Sequence, residues 1–119
     1  MKKINIIKEN REFTRIIKNN TSFKNKYFII YFEQNNNLTN YKFGISISKK
    51  IINAVGRNKI KRQLKDIIDK NDYQKNFNCI IIVRKSVLDT TYLELKQELN
   101  NCFKKLNIIK GEKYEEKNN

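Results

Sequence analysis

Histidine, proline and tryptophan are absent from this sequence of 119 residues, and cysteine occurs only twice. Without histidine the chain has no Ser-His or Cys-His nucleophile pair, no imidazole proton shuttle and no histidine-containing metal site. Cys79 and Cys102 cannot complete a zinc tetrad, and their isolated placement favours reduced thiols over a disulfide scaffold. These absences exclude most hydrolases whose catalytic groups belong to the protein, and they favour a cytoplasmic location.

Long apolar stretches are also missing. The longest uninterrupted hydrophobic runs cover residues 27–32 and 79–83, whereas a helix that spans a bilayer needs about 20 apolar residues. The N-terminus lacks the apolar stretch and the cleavage site of a secretory signal. We therefore expect no membrane partner and no export. A chain of this length supports one modest core, so we predict a single domain over residues 1–110 and a flexible polar tail over residues 111–119.

Positive charge is abundant instead. The chain has 26 Lys and Arg residues against 12 Asp and Glu residues, a formal net charge of +14. Such an excess attracts polyanions and raises their encounter rates, which makes nucleic acid the leading candidate partner. The alternative is biased codon usage that leaves a Lys-rich, merely solvated surface, although small domains ordinarily carry net charges of only about 2 to 8.

Hydrophobic periodicity predicts an α+β fold in which three helices pack on a small mixed β-sheet in the order α-β-β-α-β-α. The first helix is predicted to begin at Asn10 as a capping residue, and the third to open with the capping-box pair Thr91 and Glu94. A short extra strand is possible near Ser22. The predicted helices cover 10–18, a segment ending near 70, and 91–106, and the predicted strands cover 26–32, 41–48 and 78–83.

Alternation within the first two strands assigns side chains to faces. In the first, it places Tyr27, Ile29 and Tyr31 on one face. In the second, one face is bulky and the other nearly flat, and the flat strip is either a ligand surface or an exposed polar face. The strip consists of Gly44, Ser46 and Ser48.

The second helix sorts its polar residues by face. At about 100° per residue, its basic and amide side chains fall within an arc of roughly 140° that borders the apolar stripe. Arginine grips phosphate oxygens with a planar fork of donors that lysine cannot reproduce. The arc predicts a phosphate-binding ridge, and the alternative is a solvated basic face with Asn53 as helix cap. Its members are Arg57, Asn58, Lys61, Arg62 and Lys65.

The string Arg57-Asn58-x-x-Lys61-Arg62, shortly after Ser46-Ile-Ser48-Lys49-Lys50, closely resembles the signature of the bacterial ribonuclease P protein subunit. The resemblance extends from about residue 10 to residue 106. It includes Phe28-Ile-Ile-Tyr31, Gly44-Ile-Ser-Ile-Ser-Lys-Lys50, Asn53-Ala-Val55, Ile80-Ile-Ile-Val-Arg-Lys85 and a closing amphipathic helix.

The resemblance implies a protein, monomeric on its own, that assembles with ribonuclease P RNA and assists removal of the 5′ leader from precursor tRNA. The RNA would perform the cleavage with RNA-bound Mg²⁺, so the protein would contribute no catalytic residue and hold no metal of its own. The family's β-α-β crossover through the basic helix is left-handed, against the general rule.

The resemblance also assigns two surfaces. The catalytic RNA would be contacted, mostly at phosphates, by Lys49, Lys50, Asn53, Arg57, Asn58, Lys61, Arg62 and Lys65. The single-stranded leader would lie in a cleft where aromatic faces stack on bases without reading them. The cleft residues would be Phe13, Ile17, Tyr31, Gly44, Ser46, Ser48 and Arg84, with Ile17 in a place where the family commonly has a second aromatic residue.

Two other functions remain open at this point. One is a stand-alone structural RNA-binding protein, similar to a ribosomal protein. The other is a protein-only nuclease that acts through metal bound by Asp66, Asp69 and Asp72. For Asp66 and Asp69, which lie three residues apart on a strongly basic helix, ion pairing with Lys61, Lys65 or Lys70 is the simpler account.

Overall fold

Three helices and six strands form the part of the chain that the computed structural model describes, residues 1–112. The helices are α1 (Asn10–Asn19), α2 (Ala54–Asp69) and α3 (Tyr92–Leu106). The strands are β1 (Ser22–Lys24), β2 (Phe28–Gln34), β3 (Lys42–Ser46), β4 (Asn71–Tyr73), β5 (Phe77–Val83) and β6 (Ile109–Glu112). The predicted α+β class and the order of the main elements are confirmed, and β1 is the extra strand near Ser22.

The main sheet has four strands in the order β1-β2-β5-β3. It is mixed, as predicted, because β3 runs parallel to β5, whereas β1 pairs with β2, and β2 with β5, in antiparallel orientation. Ile80 and Ile81 point to opposite faces of β5 and are both fully buried, which explains why this strand lacks alternation. The left-handed sense of the crossover from β3 through α2 to β5 stays a prediction.

Helices cover the two faces of this sheet unequally. Helices α2 and α3 bury one face in the main core. On the other face, α1 contributes Ile16 to a small cluster with Ile7 and Ile80. Since α1 has 10 residues, it is only about 15 Å long. Ile29 and Ile82 on this face are only partly buried, so part of the sheet beside α1 remains open.

Two local predictions are wrong. Asn10 is the first helical residue of α1, and the residue in the cap position, Glu9, makes no side-chain cap. Tyr27 does not lie with Ile29 and Tyr31, because it is buried in the main core and its hydroxyl donates to Glu94 on α3. The cause is a turn in which Asn25 Oδ1 accepts from the backbone N–H groups of residues 27 and 28, at 3.0 and 2.8 Å.

A second, two-stranded sheet pairs β4 with β6. Asn107, in the left-handed conformation with φ 58°, ends α3 and turns the chain towards β6. Residues 111 and 112, the first two of the predicted tail, belong to this strand, and residues 113–119 lie outside the described residues. The limits of the domain stay a prediction. None of the helices within residues 1–112 is long and apolar enough to cross a membrane.

Candidate nucleic-acid interface

The N-terminus of α2 is fixed by contacts with the segment before it. Asn53 caps the helix by accepting from the N–H of Gly56 at 2.9 Å. Ile52 packs so closely on Gly56 that a Cβ built there would lie 2.3 Å from Ile52 Cδ1. Arg57 Nη1 donates to the carbonyl oxygen of Ile52 at 2.8 Å. Asn53 is therefore a helix cap. Arg57 fixes the segment that precedes the helix, and its side chain stays partly exposed.

The first and last turns of α2 carry no charges that complement the helix dipole, although Lys70 at the C-cap pairs with Asp66. The apolar stripe is buried as predicted, yet the first turn has no acidic residue and the last turn has no basic one. A cation near a helix N-terminus costs helix stability, typically about 0.3–1 kcal/mol for an exposed charge. Arg57 lies close to that end, and Asp66 and Asp69 lie at the other. Asp66 and Asp69 are held by ion pairs with Lys70 and with the amino terminus, whereas the side chain of Arg57 is held, among residues 1–112, only by its hydrogen bond to Ile52 O.

The predicted basic residues are not neutralised by carboxylates. Among residues 1–112 the ion pairs join other groups, including Arg15 with Glu33 and Lys70 with Asp66. None of these pairs contains any of the basic residues that were predicted to contact RNA, which are listed at the end of this paragraph. Their positive potential is consequently uncompensated by close contacts, as a surface that attracts polyphosphate requires. The basic residues concerned are Lys49, Lys50, Arg57, Lys61, Arg62, Lys65 and Arg84.

A groove of about 530 Å³ runs between α1, β3 and α2. Lys61 and Lys65, which are about 6 Å apart along the helix axis, border it from α2. Phe13 and Ile17 border it from α1, and Ser46 borders it from β3. The structure thus brings members of both predicted surfaces to one groove, with cations on one wall and apolar side chains on the other.

The predicted flat strip is only partly open. Gly44 is buried, because the ring of Phe13 lies directly on it, and a Cβ at this position would stand 2.6 Å from Phe13 Cζ. Ser46 stays open in the groove. Ser48 is exposed, and its hydroxyl accepts from the backbone N–H of Lys50 at 3.1 Å. Phe13 is therefore both a packing residue, through Gly44, and a wall of the groove.

Tyr31 and Arg84 lie outside the lining of this groove. Tyr31 is paired in register with Ile80, which is paired with Gly44, so all three occupy one row on the face beside α1. Tyr31 packs partly buried against the small cluster under α1. Arg84 is exposed, and its Nη1 donates to the carbonyl oxygen of Asn25 at 2.8 Å.

The next row of this face contains, besides Ser46, three residues that were not among the predicted site residues. Lys24 pairs with Ile29, Ile29 with Ile82, and Ile82 with Ser46. Because paired residues share a face of a sheet, this row continues the floor of the open face from Ser46 to the β1 edge. Only the register of β1 could have identified Lys24, and a three-residue strand carries little sequence signal.

A polar network fixes how α1 lies on the sheet. Arg15 on α1 makes a two-pronged ion pair with Glu33 on β2, at 2.8 and 3.0 Å. Glu33 also accepts from Asn78 on β5 at 3.0 Å, and Arg15 binds Glu12 on its own helix. The Arg15 contact, the largest cause, lowers the pKa of Glu33, and burial opposes it. The guanidinium group of Arg15 is therefore occupied by two carboxylates of this chain, Glu12 and Glu33.

The three candidate metal-binding aspartates do not form a cluster. Asp66 Oδ2 accepts from the hydroxyl of Tyr92 and pairs with Lys70 at 3.2 Å, and these contacts, Tyr92 first, lower its pKa. Asp69 pairs with the amino terminus at 2.8 Å. Within the described ranges no three His, Cys, Asp or Glu side chains gather closely enough to hold a metal ion. The predicted pairing of Asp66 with Lys70 is confirmed.

The family model and the sequence relatives that match this chain are all ribonuclease P proteins. The family model described as Ribonuclease P matches residues 1–107. The ribonuclease P protein component of Mycoplasma mycoides subsp. mycoides SC is 42% identical over 109 residues, covering 89% of this chain and 99% of the relative. That of Bacillus cereus (strain AH187) is 40% identical over 109 residues, covering 88% and 93% respectively.

Solved structures agree with the sequence comparisons. The RNase P protein of Staphylococcus aureus superposes with a TM-score of 0.79 at 34% identity, covering 87% of this chain and 96% of that one. The RNase P protein of Thermotoga maritima superposes with a TM-score of 0.73 at 27% identity, covering 83% and 94%. The similarity therefore extends over nearly the full length of these proteins.

Proposed function

The chain belongs to the ribonuclease P protein family, and on this premise we propose that it binds ribonuclease P RNA through α2 and holds the 5′ leader of precursor tRNA in the groove beside α1. One observation carries the proposal: Lys61 and Lys65 share a groove with Phe13, Ile17 and Ser46. A protein that held only a structured RNA would need the cations but not the adjoining apolar wall.

The α2 ridge would position the protein and would not read sequence. Its predicted members, Lys49, Lys50, Asn53, Arg57, Asn58, Lys61, Arg62 and Lys65, are mostly cations that suit phosphate oxygens. Counterions released from these phosphates would make binding steeply dependent on salt. Asn53 caps α2 through its side-chain oxygen, so only its amide nitrogen would be free to contact RNA.

The leader would lie against rings and aliphatic side chains. Stacking of bases on aromatic faces is tolerant of sequence, which suits a protein that meets many different leaders. Phe13 supplies such a face beside Ile17, and Tyr31 lies in the adjoining row of the sheet. Ser46, Ser48 and Arg84 would add polar contacts at the open part of the sheet, and Gly44 would support the ring of Phe13.

Cleavage itself would be the work of the RNA and of Mg²⁺ bound to it. Residues 1–112 offer no cluster of donors that fits a divalent ion, because Asp66 and Asp69 are engaged in ion pairs. On the premise of family membership, we assign no step of the reaction to this chain. Its contribution would be to bind and orient the substrate as a monomer in the cytoplasm, where precursor tRNA is made.

The experiment that tests this function is multiple-turnover cleavage of a precursor tRNA by the cognate RNA at low Mg²⁺, with and without the protein. We expect the protein to raise turnover at low Mg²⁺. If it never improves leader removal and instead recovers ribosomal RNA in a pulldown, the stand-alone RNA-binding function is correct. Cleavage by protein free of RNA, abolished by Asp66→Ala, would establish the protein-only nuclease.

A further inference from the structure

We propose that Val55, in the first turn of α2, packs against an unpaired nucleotide of ribonuclease P RNA, so that α2 contacts an irregular part of that RNA and not only the phosphates of a double helix. This inference rests on the proposed RNA-binding function of α2 and names a residue that the predicted ridge does not include. It starts from exposure, because Val55 is 79% exposed, more than any other large apolar residue within residues 1–112.

Neither the core nor the groove uses this side chain. Within the described part of the chain, Val55 belongs to neither cluster of packed apolar residues and does not line the groove between α1, β3 and α2. Formation of the helix does not require it either, because a β-branched side chain has a lower helix propensity than alanine. A lone exposed apolar residue is common at protein surfaces, so the surroundings of Val55 decide what covers it.

Those surroundings suit a polyanion. Asn58 and Arg62 follow Val55 at i+3 and i+7, so the three side chains lie on one face of α2, and all three are exposed. Arg62 is about 10 Å from Val55 along the helix axis, and within residues 1–112 it forms no ion pair. An RNA that binds Asn58 and Arg62 therefore also lies over Val55.

The chemistry of valine selects the part of the RNA that it can contact. Its isopropyl group offers neither a hydrogen bond nor a charge, so a phosphate placed against it would lose water without gaining a partner. Bases within a double helix cover their faces by stacking, whereas unstacked bases of loops and bulges present an apolar face to a protein. The ligand that fits Val55 is therefore the face of an unpaired base, whose neighbouring phosphates lie on Arg62.

The first turn of α2 is ordered before any RNA binds. Ile52 packs on Gly56, Asn53 caps the helix by accepting from the N–H of Gly56 at 2.9 Å, and Arg57 Nη1 donates to Ile52 O at 2.8 Å. In a helix the valine side chain itself has one strongly preferred rotamer. A base that lies on Val55 therefore loses little binding free energy to ordering of the protein.

The first test measures equilibrium binding of ribonuclease P RNA to the full chain over a range of salt concentrations. Val55→Thr keeps the β-branched shape and should weaken affinity about three- to tenfold, because a hydroxyl replaces a methyl group that the base covers. The salt slope should stay that of the parent, since no phosphate contact is lost. Val55→Ile should retain the parent affinity. Leu93→Thr is the matched control, at the second residue of α3 and 64% exposed, and should change neither affinity nor slope.

The second test locates the contact in the RNA. Cys79 and Cys102 are both buried, so Val55→Cys would present the accessible thiol for a short photo-crosslinker. We expect crosslinks to ribonuclease P RNA at nucleotides that react with single-strand-specific chemical probes in the free RNA. Crosslinks confined to base-paired nucleotides or to precursor tRNA would overturn the proposal.

Three results of the binding test would also overturn it: unchanged affinity in Val55→Thr, a lower salt slope in that variant, or an equal loss in its free energy of unfolding by urea. Arg62→Ala separates this failure from failure of the proposed function. If Arg62→Ala weakens RNA binding and Val55→Thr does not, the cationic ridge stands and the Val55 contact falls. If neither variant weakens it, binding of ribonuclease P RNA through this face of α2 is itself wrong.

Discussion

The ring of Phe13 rests on the backbone of Gly44, in a contact so close that a Cβ on Gly44 would stand 2.6 Å from Phe13 Cζ. This contact joins α1 to the edge strand β3, and both elements line the groove. Glycine at this position therefore determines where an aromatic wall of the proposed leader site lies.

Gly44→Ala should displace the Phe13 ring without unfolding the protein. The clash is with the far end of a side chain on a helix at the surface, so we expect a stability loss of about 1 kcal/mol or less, at the low end of overpacking costs. Affinity for precursor tRNA should fall more than affinity for mature tRNA. Urea unfolding and equilibrium binding measure the two effects. The double variant Gly44→Ala with Phe13→Leu should recover stability but not leader-dependent affinity, and recovery of both would contradict the role of the ring.

Phe13→Ala and Tyr31→Ala should each weaken binding of precursor tRNA more than binding of mature tRNA, because each removes a ring from the face beside α1. Loss of one stacked base costs about 1–3 kcal/mol. The affinities of both RNAs for the holoenzyme provide the measurement. Equal losses for the two RNAs would show that these rings only support the fold.

Arg57→Ala and Arg62→Ala should both weaken affinity for ribonuclease P RNA and lower its salt slope, by up to about 0.7–0.9 for each phosphate that the arginine neutralises. They should differ in stability. Arg57 also donates to Ile52 O, so its removal should cost about 0.5–1.5 kcal/mol, whereas the exposed Arg62 should change stability by less than about 0.5 kcal/mol. Lys104→Ala on α3 is the control, and unchanged RNA binding in both arginine variants would refute the ridge.

Glu33→Gln should destabilise the fold by about 1–3 kcal/mol at neutral pH, since it weakens charge-assisted hydrogen bonds to Arg15. The pKa of Glu33 is lowered in the folded state, so its contribution is fully present above the unfolded pKa of about 4.3. It is lost as the pH falls through the lower, folded value. Urea unfolding between neutral and acidic pH should therefore show a shallower acid loss in the variant than in the parent. As a control, Asp89→Asn, at an exposed aspartate without an ion pair among residues 1–112, should change the free energy of unfolding at neutral pH by less than about 0.5 kcal/mol.

The elements with a clear hydrophobic pattern were predictable from sequence. Helix α2 combines a stripe of Ile60, Leu64, Ile67 and Ile68 with charges on the remaining surface, and β5 is an uninterrupted apolar run. The pairing of β4 with β6 was not predictable. Asn71 has low strand propensity, and its place depends on a distant partner, Asn100, whose Oδ1 accepts from its side chain at 2.8 Å.

The candidate site was predictable in its residue types but less so in its arrangement. The cationic arc of α2 follows from helical spacing alone. The packing of Phe13 on Gly44 and the ion pair of Arg15 with Glu33 both depend on contacts between residues far apart in sequence. Local patterns carry no information about such contacts, because the relative placement of α1 and the sheet results from packing of the whole domain.

The lack of acidic residues in the first turn of α2, and of basic residues in its last turn, has a consequence for anyone who modifies this protein. Selection of the isolated chain for heat resistance would favour acidic residues in the first turn of α2 and basic residues in the last, because both would complement the peptide dipoles. Such a variant would melt at a higher temperature while its affinity for ribonuclease P RNA declined. Engineering for thermal stability should therefore leave the residues of α2 unchanged and place stabilising substitutions on α3.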